Sequence, residues 1–205
     1  RALLNGTFTL ASGRTSDTLF FRKVKIGLVT TIGIIISLWF YYKIDYSSIS
    51  IPFGGTWELG ILFIPFFVLV MLATFSSSVI DGIDGLSGGV LASIFTAFSA
   101  VAFINNQIDI SALSGALAGG ILAFLWFKVP PARFYMGETG MMALTVVLSV
   151  IAFLTDSVLL LPIIAFPLVA TTASNIIQVI SYKFFNKHRV FKVAPLHHHF
   201  QAIGW

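Results

Sequence analysis

Six stretches of this chain, 26–42, 59–80, 85–108, 110–127, 139–155 and 157–182, contain no Asp, Glu, Lys or Arg. Their lengths are 17, 22, 24, 18, 17 and 26 residues. A helix crossing the hydrocarbon core of a bilayer needs about 20 largely apolar residues, within a range of about 17 to 25, and every run reaches that length. Hydrophobic residues make up 57% of the 205 and charged residues 10%, whereas a soluble domain carries about 25% charged residues. Such a chain cannot cover a water-facing surface. A membrane β-barrel would alternate apolar and polar residues in segments of about ten, but residues 61–70 are apolar at every position. The expected fold is all-α: a polytopic membrane protein with six transmembrane helices in one integral-membrane domain, 1–205.

Threading the chain through six spans puts 1–25, 81–84, 128–138 and 183–205 on one side, and the loop 43–58, Asp109 and Asp156 on the other. Eleven of the twelve Lys and Arg fall on the first side, with Lys43 alone opposite. Basic residues in short loops stay in the cytoplasm, so 1–25 and the histidine-bearing segment 183–205 are expected to be cytoplasmic and 43–58 external. The net charge of +4 is then a topological signature, and no nucleic-acid partner is expected because no soluble basic module exists to carry one. With no cysteine, disulfides and cysteine metal sites are excluded and the redox compartment stays open. Pro162 and Pro167 predict a kink or break in the last span. Gly54-Gly55 predicts a turn in the external loop. Gly115, Gly119 and Gly120 allow close helix packing. The start at Arg1, without Met or a cleavable leader, and the end at Trp205 suggest a piece of a longer protein.

Three polar clusters lie on the predicted cytoplasmic face: Asp81-Gly-Ile-Asp84-Gly85, Pro130-Pro131-Ala-Arg133-Phe-Tyr135-Met-Gly137-Glu138-Thr-Gly140, and Ala194-Pro-Leu-His197-His198-His199-Phe200. Each has two readings. Asp-Gly pairs are ordinary turns, or they form an oxygen-rich patch suited to Mg²⁺, which takes one or two carboxylates plus water and phosphate oxygens. Glu138 is either the acidic first turn of a helix, favoured by the helix dipole, or a carboxylate beside an anion-attracting helix start with glycines that let phosphate approach. Three adjacent histidines are a tag remnant or surface loop, or else donors and acid–base groups near neutral pH, and they cannot all point one way. The basic run from Lys183 to Lys192 needs no role beyond cytoplasmic retention, with attraction for anionic lipid as an addition.

The stretch from Phe124-Leu-Trp-Phe through Pro130-Pro-Ala-Arg, Met136-Gly-Glu-Thr-Gly, Ile176-Ile-Gln-Val and Ala194-Pro-Leu-His-His-His-Phe to Gly204-Trp205 resembles the phospho-N-acetylmuramoyl-pentapeptide-transferase family. That family lies within the polyprenyl-phosphate N-acetylhexosamine-1-phosphate transferases. Asp81-Gly-Ile-Asp-Gly-Leu86 resembles another of its motifs. The resemblance covers nearly all of the chain and is strongest after residue 120, with the triple-histidine motif the most discriminating part. It implies transfer of phospho-MurNAc-pentapeptide from UDP-MurNAc-pentapeptide to undecaprenyl phosphate, forming lipid I and UMP. It also implies Mg²⁺, a multi-pass protein in the bacterial inner membrane with its active site on the cytoplasmic face, and a homodimer contact through the glycines of 110–127. Exchange of one phosphoanhydride for another depends mainly on positioning and charge stabilisation.

Carried over by position, the resemblance makes Asp81 and His197 catalytic. Asp84, Gly82, Ile83, Tyr135, Lys128 and His198 would bind substrate, Asp84 at the uridine and Tyr135 stacked on uracil. Glu138 would hold the metal. The departures are Glu138 where the family has aspartate, Ser78 and Lys128 where it has asparagine, and Thr171 where a membrane glutamate is usual. The family's earlier aspartate pair followed by lysine has no counterpart in 1–25, so the fragment alone is expected to be inactive. The alternatives are a related sugar-1-phosphate transferase, or a non-catalytic membrane module such as a transporter. A transporter would place ionisable groups at the midplane of broken helices, and none of the six runs contains one. The topology has a direct check in this cysteine-free chain: Asn105→Cys and Val190→Cys are expected to label with an impermeant reagent from opposite sides of the membrane. Labelling from one side would break the six-span arrangement.

Overall fold

The computed structural model describes residues 15–51, 54–80, 83–129, 133, 136–184 and 190–204, with side chains from residue 23 onward except those of 78 and 79. The chain runs α1 (Thr15–Lys43), β1 (Ser48–Ile51), β2 (Gly55–Glu58), α2 (Phe63–Ser76), α3 (Leu86–Ile104), α4 (Ile108–Lys128), α5 (Gly137–Leu154), α6 (Leu161–Ile164), α7 (Phe166–Phe184) and α8 (Leu196–Ala202). Short 3₁₀ turns precede α2 and α6, and another, Ser77–Ile80, follows α2. The protein is a helical, multi-pass membrane protein.

Among the described residues four helices are long and apolar enough to cross a membrane: Lys23–Lys43, Leu86–Ile104, Ile108–Lys128 and Gly137–Leu154. Val158–Ile164 and Phe166–Phe184 meet at 81° and are together long and apolar enough for a fifth, broken span or for a re-entrant loop. The expected break therefore falls at Ala165, between the two prolines. The remaining charge-free run gives a shorter apolar helix, Gly60–Ser76, so among the described residues four or five of the six expected spans reach crossing length. Absence of charge sets an upper bound on a span. Here the run spends its ends on 3₁₀ turns, where Ser76 Oγ turns back to the Ala73 carbonyl at 2.7 Å, a bond that competes with helix continuation.

The segment 43–58 is more ordered than a polar loop. β1 and β2 pair antiparallel, with Ser48 opposite Glu58 and Ile51 opposite Gly55, and Gly55 adopts φ +92°, which glycine reaches without a Cβ clash. Ile49 is buried against the bundle. Asp156, just past the end of α5, accepts from the Tyr46 hydroxyl and from the Ser50 amide at 3.2 Å. Burial first, then the hydrogen bond to and charge of Asp156, raise the Tyr46 pKa, so the phenol stays a donor. Asn105 Nδ2 donates to the Thr155 carbonyl at 3.2 Å and Gln107 Nε2 to the Leu154 carbonyl at 3.0 Å. These bonds join the ends of α1, α3 and α5, all assigned to one side by the charge pattern.

Within the bundle the helices meet along hydroxyl seams. Thr74 Oγ1 and Ser149 Oγ share a hydrogen bond at 2.7 Å between α2 and α5. Between α3 and α4, Ser99 Oγ donates to the Ser111 carbonyl at 2.8 Å and Ser111 Oγ to the Ser99 carbonyl at 2.9 Å. Around these seams Phe40, Phe63, Phe67 and Phe153 pack as one buried aromatic cluster. Thr74 lies near the end of α2 while Ser149 is twelve residues into α5, so α5 runs on by about 18 Å at 1.5 Å per residue. The 3₁₀ turn Ser77–Ile80 packs on α5 and α7, and the first turns of α5 therefore wall the region it leads into. Hydrogen bonds to a charged group contribute roughly 1.5–3 kcal/mol. Tyr46→Phe is expected to lower the stability of the detergent-solubilised protein by about that amount, read from its thermal midpoint. In the Asp156→Ala background the same change should cost much less, because the bond is already gone.

Candidate functional site

The aspartate turn leads from the end of α2 into α3. Asp81 and Gly82 lie outside the described residues. Ile83 and Asp84 are half-buried in a turn that Gly85 closes at φ +79°, with the Leu86 amide donating to the Ile83 carbonyl at 3.3 Å. Two residues into α3, Ser87 Oγ accepts from Lys128 Nζ at 2.6 Å. Lys128 ends α4 and is 0% exposed, its ammonium 5.8 Å from the Phe124 ring centre. Placing a cation in the last helical turn suits the helix dipole. The two helices approach closely here, since a Cβ on Gly88 would stand 3.0 Å from Leu125 Cδ1.

After α4 the chain turns outward at Val129, which is extended at φ −63°, ψ 139°, as expected before Pro130. The Arg133 amide donates back to the Phe127 carbonyl at 3.0 Å, while Tyr135 lies outside the described residues. Gly137 has φ +72° and Gly140 leaves room for Met136, whose Cγ would be 2.5 Å from an added Cβ. These glycines thus shape the start of α5, and Gly140's free space is taken by Met136. Glu138 stands in that first turn, 74% exposed, and pairs with Lys25 of α1, itself 41% exposed.

The histidine segment is held by one face of α7. Gln178 accepts from the Phe191 amide at 3.0 Å and donates to the Phe191 carbonyl at 3.2 Å. Ser174 Oγ accepts from the Leu196 amide at 3.0 Å and donates to the Thr171 carbonyl at 2.7 Å. Thr171 is buried and bonds its own helix at Pro167. The three histidines diverge as expected. His199 Nδ1 accepts from the Lys192 amide at 3.2 Å and His198 Nδ1 faces Gln201 Oε1 at 3.3 Å. His197 is 9% exposed, its ring 4.4 Å from that of His198, and neither of its nitrogens has a hydrogen-bond partner. Burial, and secondly the charge of His198, hold its pKa below the ordinary histidine value, so it is a neutral donor and acceptor at pH 7.

The structure brings together Lys128 with the aspartate turn, Lys25 with Glu138, and the histidine helix with α7, against which the turn Ser77–Ile80 also packs. Among the described residues no group of three or more His, Asp or Glu is placed to hold a metal ion. A hard, exposed carboxylate at Glu138 fits Mg²⁺ in its usual mode, with one protein oxygen and the remainder from phosphate and water. Ser87, Ser174, Gln178 and Lys25 are residues whose positioning role the motifs did not reveal. One signal was present: Thr171, Ser174, Gln178 and Ser181 recur at spacings of three and four, a polar stripe on an apolar helix. Separately, an apolar groove of about 520 Å³ between α4 and α5, lined by Leu113, Leu117, Phe124, Met136 and Leu144 among others, offers hydrocarbon surface and no headgroup ligand.

Residues 2–156 match the family model described as glycosyl transferase family 4. The chain is 35% identical over 224 residues to a phospho-N-acetylmuramoyl-pentapeptide-transferase of Brachyspira hyodysenteriae, covering 88% of the chain and 58% of that protein. It is 42% identical over 178 residues to one of Thermoanaerobacter sp., covering 85% and 55%. A third, of Acetivibrio thermocellus, is 43% identical over 164 residues, covering 78% and 49%. The chain spans about half the length of the curated relatives it matches.

The depressed His197 pKa fixes a pH window. As pH falls through about 6.5, the unfolded or undocked segment takes a proton before the folded one does, so docking weakens. The ring NMR titration of His197 is expected to have its midpoint below 6.5, and thermal stability should be flat above about pH 7.5 and fall below 6.5. A His197→Gln variant should lose part of that fall; an unchanged profile would detach it from His197.

Proposed function

The chain belongs to the glycosyl transferase family 4, and on that footing we propose that the full-length protein transfers phospho-MurNAc-pentapeptide from UDP-MurNAc-pentapeptide to undecaprenyl phosphate at the cytoplasmic face of a bacterial inner membrane. The names of its relatives support the reaction. The observation that carries the site is His197, a buried imidazole with both nitrogens unpartnered in a segment bolted to α7. A buried polar group left without partners costs roughly 1–3 kcal/mol, and a phosphate-bearing ligand would satisfy it.

In the reaction an oxygen of the lipid phosphate attacks the phosphorus that bears the sugar. The bond from that phosphorus to the UMP oxygen breaks, a new P–O–P link to the lipid forms, and UMP leaves with the electron pair. Mg²⁺, held through Glu138 and phosphate oxygens, would supply neutralisation of the pyrophosphate charge. His197, neutral, would donate one ring N–H to a phosphate oxygen. Asp84, Gly82, Ile83 and His198 would line the nucleotide pocket, with Tyr135 stacked on the base, and Asp81 would support the reacting centre. Gly119 and Gly120 lie exposed on α4, which leaves a face for the homodimer of the same reading, whereas a Cβ added at Gly115 would meet Ser99 Oγ at 3.4 Å, so Gly115 faces α3.

The experiment is UMP release by the purified full-length protein from UDP-MurNAc-pentapeptide and undecaprenyl phosphate, with and without Mg²⁺. Mg²⁺-dependent release is expected, and a folded protein that releases none would overturn the reading. Glu138→Gln is expected to lose at least about 100-fold in kcat, the order seen when one group stabilising transition-state charge is removed. Undiminished turnover would take the Glu138 carboxylate out of the metal site.

A further inference from the structure

Lys128 is the residue on which position and resemblance part company. The resemblance puts it in the nucleotide pocket, yet its side chain is fully buried and its ammonium donates to Ser87 Oγ at 2.6 Å. Ser87 is itself fully buried and lies three residues after Asp84 on the same chain turn. We propose that Lys128 is a positioning residue, a buried cation that acts through Ser87 to fix the aspartate turn at the start of α3 against the end of α4, and that it does not touch the nucleotide.

Three observations meet at this point. An ammonium removed from water is tolerated where polar groups receive it, and a serine hydroxyl at 2.6 Å is such a group. The helix ends it joins are in close contact, since a Cβ on Gly88 would meet Leu125 Cδ1 at 3.0 Å and oblige that side chain to give by a few tenths of an ångström. Each of those ends opens into a candidate site segment, Ile83–Asp84 on one side and Val129–Arg133 on the other. A tether here sets the separation of two elements that, on the proposed function, grip the same donor nucleotide. Asparagine is too short to span from the end of α4 to the same hydroxyl, so the lysine at this position carries a device that an asparagine-bearing relative must replace with something else.

The inference rests on the proposed transferase reading only for its kinetic arm, and the test is built to separate the two. In the full-length protein, Lys128→Met, Ser87→Ala, Ser87→Thr and the Lys128→Met/Ser87→Ala double variant are compared. KM for the UDP donor is expected to rise about tenfold in Lys128→Met and severalfold in Ser87→Ala. The double variant should be no worse than Lys128→Met, Ser87→Thr should stay near wild type, and kcat and KM for the lipid phosphate should change by less than about threefold. A Lys128→Met defect that Ser87→Ala does not share would show that the lysine does not act through Ser87, and would overturn the proposal. So would variants whose melting temperature falls while KM stays fixed, which marks a purely structural pair. Independent of turnover, spin labels at Gly89→Cys and Val129→Cys report the gap between the two helix ends. Their distance distribution is expected to broaden in Lys128→Met and Ser87→Ala, and an unchanged distribution would overturn the tether. If wild type releases no UMP while the distances respond as stated, the function fails and the tether stands.

Discussion

In a bilayer no water is at hand to satisfy a polar group, and most of the hydroxyls buried in these helices bond within the protein, with Ser114 Oγ on α4 and Thr172 Oγ1 on α7 left without a partner. That constraint decides how these helices meet. Apolar surfaces alone do not choose among helix registers in lipid, because the tails are as apolar as the side chains. Thr74 with Ser149, and Ser99 reciprocally with Ser111, fix two interfaces. Such bonds average about 0.6 kcal/mol each, up to about 1.7. They set register more than they hold the bundle together, and the buried aromatic cluster around Phe40, Phe67 and Phe153 supplies the larger packing area.

The same constraint builds the candidate site. The polar stripe of α7 is buried in a span and consequently reaches for the nearest irregular backbone, which is the histidine segment. Gln178 takes both backbone groups of Phe191, and Ser174 satisfies the first free amide of α8. An otherwise unanchored loop of aromatic and imidazole side chains is thereby fixed to a helix that crosses the bundle. At its other end α7 begins at an 81° break, beyond a 3₁₀ turn, Val158–Leu160, that packs on β1 of the hairpin tied down by Asp156. One bent helix pair therefore connects the hairpin latch to the histidines.

The span pattern was legible because it depends on a single additive property, and the assignment of ends to two sides was legible because charge is segregated between them. Every cross-contact between loops joins ends that the charge pattern had put together: Lys25 with Glu138, Lys128 with Ser87, Tyr46 with Asp156. The length of α2 was not legible, since serine back-bonding and 3₁₀ turns shorten a helix without changing its hydropathy. Nor was the hairpin, whose two four-residue strands alternate too briefly to register. The motifs singled out Lys128 and His197, but burial of the first and the unpartnered nitrogens of the second depend on which helix ends lie side by side. Spacing along the chain does not contain that information.

Glu138 shows how magnitudes settle an apparent conflict. It is paired with Lys25, which could be read as a carboxylate already spent on structure. Both side chains are substantially exposed, 74% and 41%, and an exposed ion pair contributes only about 0–1 kcal/mol after screening and side-chain entropy. On the proposed function, a divalent cation at this carboxylate would offer it twice the charge of the lysine, with its further ligands drawn from water and phosphate. The lysine pair is too weak to hold the carboxylate against that competition. Released from Glu138, Lys25 would stand beside the first turn of α5 as a cation, the sign that a phosphate-bearing ligand of the proposed reaction would need.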